Sequence, residues 1–238
     1  MASGDWSFVG GGRGNQATSI GAFIGGGGID SAGSALGNTA SGIASTVGGG
    51  LANNASSSGA TIAGGYQNTA NASRSTVVGG RYGSTRGIAG NIVLPACDTP
   101  IGASGISQAA LLVLAKQTTD ATATVLTSDA NAAGTTNQVI LPNNSAYFFR
   151  GEVISGVTGG GDTKGWTIEG VIKRGAGVGT TTLVGSTVTS LYADVGAATW
   201  TIALAADTTN GGLKVTFTGQ ASTTIRTVAQ IRTTEMTY

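Results

Sequence analysis

The sequence predicts an all-β protein in which a parallel β-solenoid precedes an antiparallel β-sandwich of jelly-roll type. Three observations support this prediction. A short repeat occupies the first 87 residues, alternating apolar and β-branched runs follow from residue 109, and neither part has a helical periodicity. We therefore expect a shaft of five coils over 1–87, a neck over 88–108 and a knob over 109–238.

The repeat has a period of 15 residues. Its five units begin at Phe8, Phe23, Thr46, Thr61 and Thr76, so the second interval is 23 residues and contains eight extra ones. We expect the extra residues within 31–45. A period this short is typical of one coil of a narrow β-solenoid.

Four positions recur in each unit, and each has a predicted role. The second position is aliphatic and should point inward: Val9, Ile24, Val47, Ile62 and Val77. The fourth and fifth positions are a glycine pair, which should make a turn. The eighth position should adopt a left-handed backbone at a second turn: Asn15, Asp30, Asn53, Asn68 and Gly83. The tenth position is small: Ala17, Ala32, Ala55, Ala70 and Thr85.

Each predicted coil is thin. One aliphatic residue per coil buries little apolar area at about 25 cal/mol per Å², whereas ordering the backbone costs about 1–2 kcal/mol per residue. The ladders of glycine and alanine would let neighbouring chains approach closely. We therefore expect three chains to share one core as a homotrimer.

Composition and charge exclude several classes of function. The net charge is +1, which gives no electrostatic basis for binding nucleic acid or an anionic membrane. Histidine is absent and Cys97 is the only cysteine, so we expect no cofactor, no metal site and no catalytic triad. The first residues have no signal-peptide pattern, and the longest apolar run, 109–115, is too short to insert in a membrane.

The ends of the solenoid have two possible roles each. Trp6 and Phe8 could cap the first coil or dock into a partner. Arg74, Arg81 and Arg86 could form a polar cap or a contact between chains. In the neck, Pro95 and Pro100 cannot donate to a strand ladder, which predicts a break in the repeat.

The knob is predicted to contain nine strands and a core of Phe148, Trp166, Trp200 and Phe217. Asn210-Gly211 between two alternating runs indicates a tight hairpin. The predicted strands are 109–117, 123–127, 138–141, 146–157, 165–173, 181–191, 199–205, 213–218 and 225–237.

The repeat resembles the heads of trimeric autotransporter adhesins, and more closely the GG and N-x-A repeats of bacteriophage fibre proteins. The residues concerned are TVGGGLANNASSSGA (46–60), TIAGGYQNTANASRS (61–75) and TVVGGRYGSTRG (76–87). The second half resembles the terminal knobs of phage structural proteins, through LPNNSAYFFRGEVISG (141–156), GWTIEGVIKRG (165–175), 183–220 and TTEMTY (233–238). This resemblance implies a left-handed β-roll intertwined as a homotrimer, located in the virion and made in the bacterial cytoplasm.

The leading functional prediction is a non-enzymatic tail fibre or tip that attaches to the host surface, with its N-terminal end on other virion proteins. A head spike on the capsid, a polysaccharide-degrading fibre enzyme and a non-viral adhesin are the alternatives. The knob should contact a host glycan or protein through the loops 159–164, 175–180 and 208–212. The candidate contact residues are Gly160, Asp162, Lys164, Val178, Thr208 and Asn210.

Acidic residues could instead supply chemistry. A glycosidase needs two carboxylates, and the candidates by residue type are Asp162, Glu169, Asp194 and Asp207. Most of them stand beside Gly, Thr or Asn, as turn residues do, so structural roles are favoured. A calcium site near Asp5 or Asp30 is disfavoured for the same reason.

Overall fold

The computed structural model describes residues 1–96, 101 and 105–238, and these residues form two compact units, Met1–Ala110 and Leu111–Tyr238. The protein is all-β, as predicted. Among the described residues, the only helical elements are two single 3-10 turns, Val178–Thr180 and Val195–Ala197. Within that part of the chain there is no apolar helix of membrane-spanning length.

The first unit is a β-solenoid in which each coil contributes two short strands. The strands are β1 (Phe8–Val9), β2 (Gln16–Ala17), β3 (Phe23–Ile24), β4 (Thr39–Ala40), β5 (Thr46–Val47), β6 (Asn54–Ala55), β7 (Thr61–Ile62), β8 (Thr69–Ala70), β9 (Thr76–Val77) and β10 (Ile92–Pro95). They stack in two parallel ladders, β1-β3-β5-β7-β9-β10 and β2-β4-β6-β8. The register places equivalent residues on one another, for example Thr46 on Thr61 and Val47 on Ile62.

The core of this unit consists of the two ladders that the repeat predicts. The second-position aliphatics from Ile24 to Val77 are fully buried, and so are alanines at the tenth position. Val9 is only half-buried because β1 lies at the end of its ladder. The inward role of both positions follows from the alternation of side chains along a strand.

The solenoid extends beyond the five predicted coils. β10 pairs in parallel with β9, and Val93 is buried on top of Val77. Pro95 is the last residue of β10, where a missing N–H is tolerated. Cys97 and Pro100 lie outside the described residues.

The eight extra residues fall largely within the predicted range 31–45, at its start. They form a loop that leaves the second coil at Gly28 and returns at Leu36, whose N–H donates to the Gly28 carbonyl at 2.9 Å. Asp30 belongs to this loop, where its carboxylate accepts the N–H groups of Ala32 and Ser34. Asp30 and Ala32 are therefore not the eighth and tenth residues of the coil. Asn38 and Ala40 occupy those positions.

The predicted role of the eighth position is also wrong. The asparagines at this position are buried and do not adopt a left-handed backbone. The left-handed conformation occurs one residue earlier, at Ala52, Gln67 and Tyr82. Their side chains form a ladder of hydrogen bonds along the solenoid. Asn53 accepts the N–H of Asn68 at 3.0 Å and donates to the carbonyls of Gly49 and Gly65, each at 2.9 Å. Asn15, Asn38 and Asn68 make the equivalent bonds. Asparagine is required for its amide, which is both donor and acceptor.

The second unit contains nine strands, one for each predicted run. They are β11 (Ser107–Thr118, which begins at the end of the first unit), β12 (Thr124–Val125), β13 (Val139–Ile140), β14 (Ser145–Val157), β15 (Thr163–Arg174), β16 (Thr182–Ala193), β17 (Thr201–Asp207), β18 (Gly212–Thr218) and β19 (Ile225–Thr237). Five of these strands are hydrogen-bonded in the order β11-β19-β14-β15-β16. The other four form a separate sheet in the order β12-β18-β13, in which β17 also pairs with β18. The jelly-roll arrangement stays a prediction.

Three of the four predicted core aromatics are buried. Trp166 and Trp200 both pack edge-on against Phe217, with ring centroids 6.4 and 6.1 Å apart. Phe148 is 48% exposed, whereas its neighbour Phe149 is fully buried. The prediction for Phe148 is wrong because successive side chains of β14 point to opposite faces, so an error of one residue exchanges core and surface.

Candidate functional site

The three predicted contact loops lie at two ends of the long strands of the second unit. The loop 159–164 joins β14 to β15, and 175–180 joins β15 to β16, so β15 separates them. Twelve residues of strand extend about 40 Å. The hairpin 208–212 joins β17 to β18 and contains Gly211 with φ +79°, which confirms the tight turn expected from Asn-Gly.

The second and third loops come together. A Cβ placed on Gly211 would lie 3.0 Å from Cγ1 of Val178, and Arg174 lies against the same glycine while its guanidinium donates to the Leu141 carbonyl. Val178 is therefore brought beside the hairpin that contains Thr208 and Asn210. Thr208 is exposed, and the other two residues are half-buried.

A buried carboxylate organises this hairpin. Asp207 is fully buried and accepts hydrogen bonds from the N–H groups of Thr209 and Asn210, from Nδ2 of Asn210 at 2.9 Å and from Nε2 of Gln138 at 3.1 Å. Burial alone would raise the pKa of Asp207. The hydrogen bonds, led by those from Asn210, outweigh burial and hold the pKa below its ordinary value.

We expect Asp207 to make stability depend on pH. Because its folded pKa is depressed, its stabilising contribution is complete above the unfolded pKa of about 3.9 and is lost as pH falls through the folded pKa. Asp207→Asn should lower the free energy of unfolding at pH 7 by about 1–3 kcal/mol. The loss should shrink when urea unfolding is repeated at pH 3. An equal loss at both values would contradict the assigned role.

The loop 159–164 is divided between exposed and structural residues. Gly160 is exposed and Asp162 is half-buried. Lys164 is buried, and its ammonium donates to the carbonyls of Ala198 and Trp200 at 2.9 and 2.8 Å. Its charge is thus used inside the unit, which leaves little of the side chain for a receptor. Among the six candidates, Gly160 and Thr208 are the most accessible.

The candidate carboxylates do not converge on one site. Asp207 belongs to the hairpin, and Glu169 is exposed on β15 opposite Arg150. Asp194 accepts the N–H of Thr163 at 2.9 Å, and the carboxylate of Asp162 lies against Gly196. Asp162 and Asp194 therefore share one end of the unit. In the described part of the chain, no three His, Cys, Asp or Glu residues are grouped so as to hold a metal ion.

The arginines of the solenoid make local contacts. The guanidinium of Arg81 lies 5.0 and 4.8 Å from the ring centres of Tyr66 and Tyr82. Arg86 donates to the carbonyl of Gly105 at 2.6 Å. Arg74 adopts a left-handed backbone with φ +54°.

A cavity of about 450 Å³ in the second unit has no counterpart among the features predicted from the sequence. The charged residues that line it are Lys116, Asp129 and Arg226. Isolated charges within strands are a weak signal in a chain with only 10% charged residues. Nothing in the sequence indicates that these three residues meet.

No protein-family model and no curated protein matches this chain. Among solved structures, it is similar to the tailspike protein gp49 of Acinetobacter baumannii bacteriophage Fri1, a capsular polysaccharide depolymerase. The identity is 10% and the TM-score 0.33, over 91% of this chain and 37% of the other. It is also similar to the tailspike of Acinetobacter phage vB_ApiP_P1, with 11% identity and a TM-score of 0.22, over 98% of this chain and 47% of that one. The chain thus spans less than half of each tailspike.

These comparisons correct one expectation. The prediction of a protein without enzymatic activity is contradicted, because the first of the two tailspikes is a depolymerase. At 10% identity, the likeness identifies no catalytic residue in this chain.

Proposed function

We propose that this protein is a component of a phage tail spike or fibre that assembles as a homotrimer and attaches to the host surface. The proposal is supported by a solenoid of stacked coils and by a second β-unit with exposed loops. The fibre-like repeat in the sequence points to the same class. The proposed N-terminal contact is with other virion proteins, and the proposed host ligand is a surface glycan or protein.

The main support for assembly as a homotrimer is the exposure of β16 at the end of its sheet. This 12-residue strand is the last in its strand order, contains neither a charged residue nor proline, and is exposed along nearly its whole length. A long uncharged edge presents unpaired N–H and C=O groups, which natural proteins cover or protect. Strands of neighbouring copies would cover this edge.

Exposed apolar side chains on the first coils agree with this assembly. Phe8 and Phe23 stack at 5.4 Å between ring centres yet remain half-exposed, and Trp6, two residues before Phe8, is 87% exposed. Later coils have threonine where these phenylalanines stand. The first coils therefore form an apolar surface that suits a protein partner.

Charges on β16 should dissociate the assembly. Val184 and Leu191 are exposed on this strand, and we expect Val184→Lys with Leu191→Lys to convert a trimer into monomers in sedimentation velocity. The control is Val195→Lys, at a still more exposed position outside β16. That variant should remain trimeric. A wild-type protein that is monomeric at all concentrations would contradict the proposed assembly.

The attachment function is tested with labelled protein on host cells and with antibody labelling of particles by electron microscopy. We expect saturable binding to cells and label on the tail. Label on the capsid would favour a head spike instead. Absence of binding to every permissive host would contradict the attachment function.

A depolymerase is a second candidate, favoured by the placement of Asp162 and Asp194 at the same end of the second unit. Paired carboxylates are the usual requirement for cleaving a glycosidic bond. Release of reducing ends from purified host capsule would support this activity. If the double variant Asp162→Asn with Asp194→Asn retains the activity, these two carboxylates are not the catalytic pair.

A further inference from the structure

The cavity in the second unit has the size and lining of a ligand site. It lies where the end of β11 meets the beginning of β19, and its volume of about 450 Å³ is typical of small-molecule pockets. Its apolar walls include Ala115, Ala130 and Val228. Such walls can pack against the C–H face of a sugar ring.

Two cationic residues, Lys116 and Arg226, are among those that line this cavity. Arg226 donates through Nε to Oε1 of Gln117 at 2.9 Å, which restrains the guanidinium. In the described part of the chain, no hydrogen bond uses its terminal nitrogens or the ammonium of Lys116. A guanidinium held in this way can bind a carboxylate through two parallel hydrogen bonds.

A carboxylate limits the net charge of the site. Asp129 accepts hydrogen bonds from the N–H and Nδ2 of Asn131, each at 3.0 Å, and from Nδ2 of Asn137 at 2.7 Å. Burial would raise the pKa of Asp129, but these hydrogen bonds and the charge of Lys116 hold it below its ordinary value. The three charged groups therefore sum to +1, which suits a monoanion better than a phosphate dianion.

We infer that this cavity binds a sugar unit that carries one carboxylate. Arg226 pairs with the carboxylate, Lys116 adds a second positive charge, and Asp129 is placed to accept a sugar hydroxyl. If the protein attaches to a host glycan, as proposed above, the inference names an acidic saccharide as the class of that glycan. The site is distinct from the three loops considered as contacts.

The test uses the 238-residue chain with glucuronic acid, glucose and glucose 6-phosphate as probes, and binding is measured by saturation-transfer NMR and calorimetry. We expect glucuronic acid to bind more tightly than either other sugar, and its binding to weaken as salt is raised. Arg226→Gln and Lys116→Gln should each weaken it about tenfold or more, because a hydrogen bond to a charged group is lost.

Each control removes one positive charge of the same residue type from an exposed strand position outside the cavity. Arg232→Gln alters an exposed arginine further along β19, and Lys173→Gln an exposed lysine of β15, both outside the cavity. Both should bind glucuronic acid as the wild type does. Thermal unfolding of each variant shows whether the second unit remains folded.

Several results would overturn the inference: equal binding of glucose, tighter binding of glucose 6-phosphate, or unchanged glucuronic acid binding by folded Arg226→Gln. Cell binding separates this inference from the proposed function. If wild type and Arg226→Gln attach to host cells equally, the assignment of the receptor glycan fails while attachment stands. If the wild type attaches to no cells but binds glucuronic acid through Arg226, the cavity stands and attachment fails.

Discussion

Replacing Gly65 by alanine is expected to unfold the middle of the solenoid. Gly65 has φ +95°, and a Cβ there would lie 2.0 Å from the carbonyl oxygen of Gly80 in the next coil. It would also lie 2.8 Å from Nδ2 of Asn68. Strain in the backbone and overlap with a neighbouring coil together should lower the free energy of unfolding by about 3 kcal/mol or more.

Gly64 provides the matched control, because it is the other glycine of the same pair. The nearest heavy atom to a Cβ at Gly64 is 4.0 Å away, and no left-handed φ is required there. Gly64→Ala should change stability by less than about 1 kcal/mol. Hydrogen exchange by mass spectrometry reports the coils separately. It should show lost protection over 46–90 in Gly65→Ala alone, and equal protection in the two variants would contradict the assigned contact.

The second large effect is expected for Asn53→Ala. The substitution removes two partly buried donations to glycine carbonyls and the buried acceptor for the N–H of Asn68. Each buried polar group left without a partner costs about 1–3 kcal/mol, so the total should be roughly 3–5 kcal/mol. Thermal unfolding and hydrogen exchange of the adjacent coils measure the loss.

Asn54 is the control for this substitution, since it is the next residue and the same type. Its side chain is exposed on β6, and among the described residues it makes no hydrogen bond. Asn54→Ala should therefore lie within about 0.5 kcal/mol of the wild type. A small effect at Asn53, similar to that at Asn54, would show that the ladder does not stabilise the coils.

The asparagine ladder shows how a correct pattern led to a wrong mechanism. The repeat identified the eighth position, and the preference of asparagine for the left-handed region suggested a turn. The structure instead uses the amide to connect each coil to the next one, with the left-handed backbone one residue earlier, in Ala52 and Gln67. Propensity describes an isolated residue, whereas the ladder exists only when coils stack.

The same limit explains the other differences in the solenoid. Asp30 fitted the eighth position by type, but the loop from Gly28 to Leu36 displaces it and Asn38 takes that place. The sixth strand of the first ladder was missed because Pro95 suggested a break. A proline at the final residue of a strand is compatible with pairing, and only the register of β10 on β9 shows that it occurs.

In the second unit, strand positions were predictable and the functional surface was not. Alternation and turn residues identified the nine runs, because they are local properties. Lys164 looked like a loop cation, yet its ammonium is bonded to two carbonyls more than thirty residues away in sequence. Lys116 and Arg226 line one cavity only because β19 is placed beside β11.

The sequence by itself determined the all-β class, the coil period and the inward ladders of aliphatic and alanine residues, because each follows from backbone geometry repeated at short range. Tertiary structure alone decided which glycine of each pair is indispensable, which face of β14 is buried and which charges line the cavity. These depend on atoms from distant segments approaching within a few ångströms. Their separation along the chain carries no information about that approach.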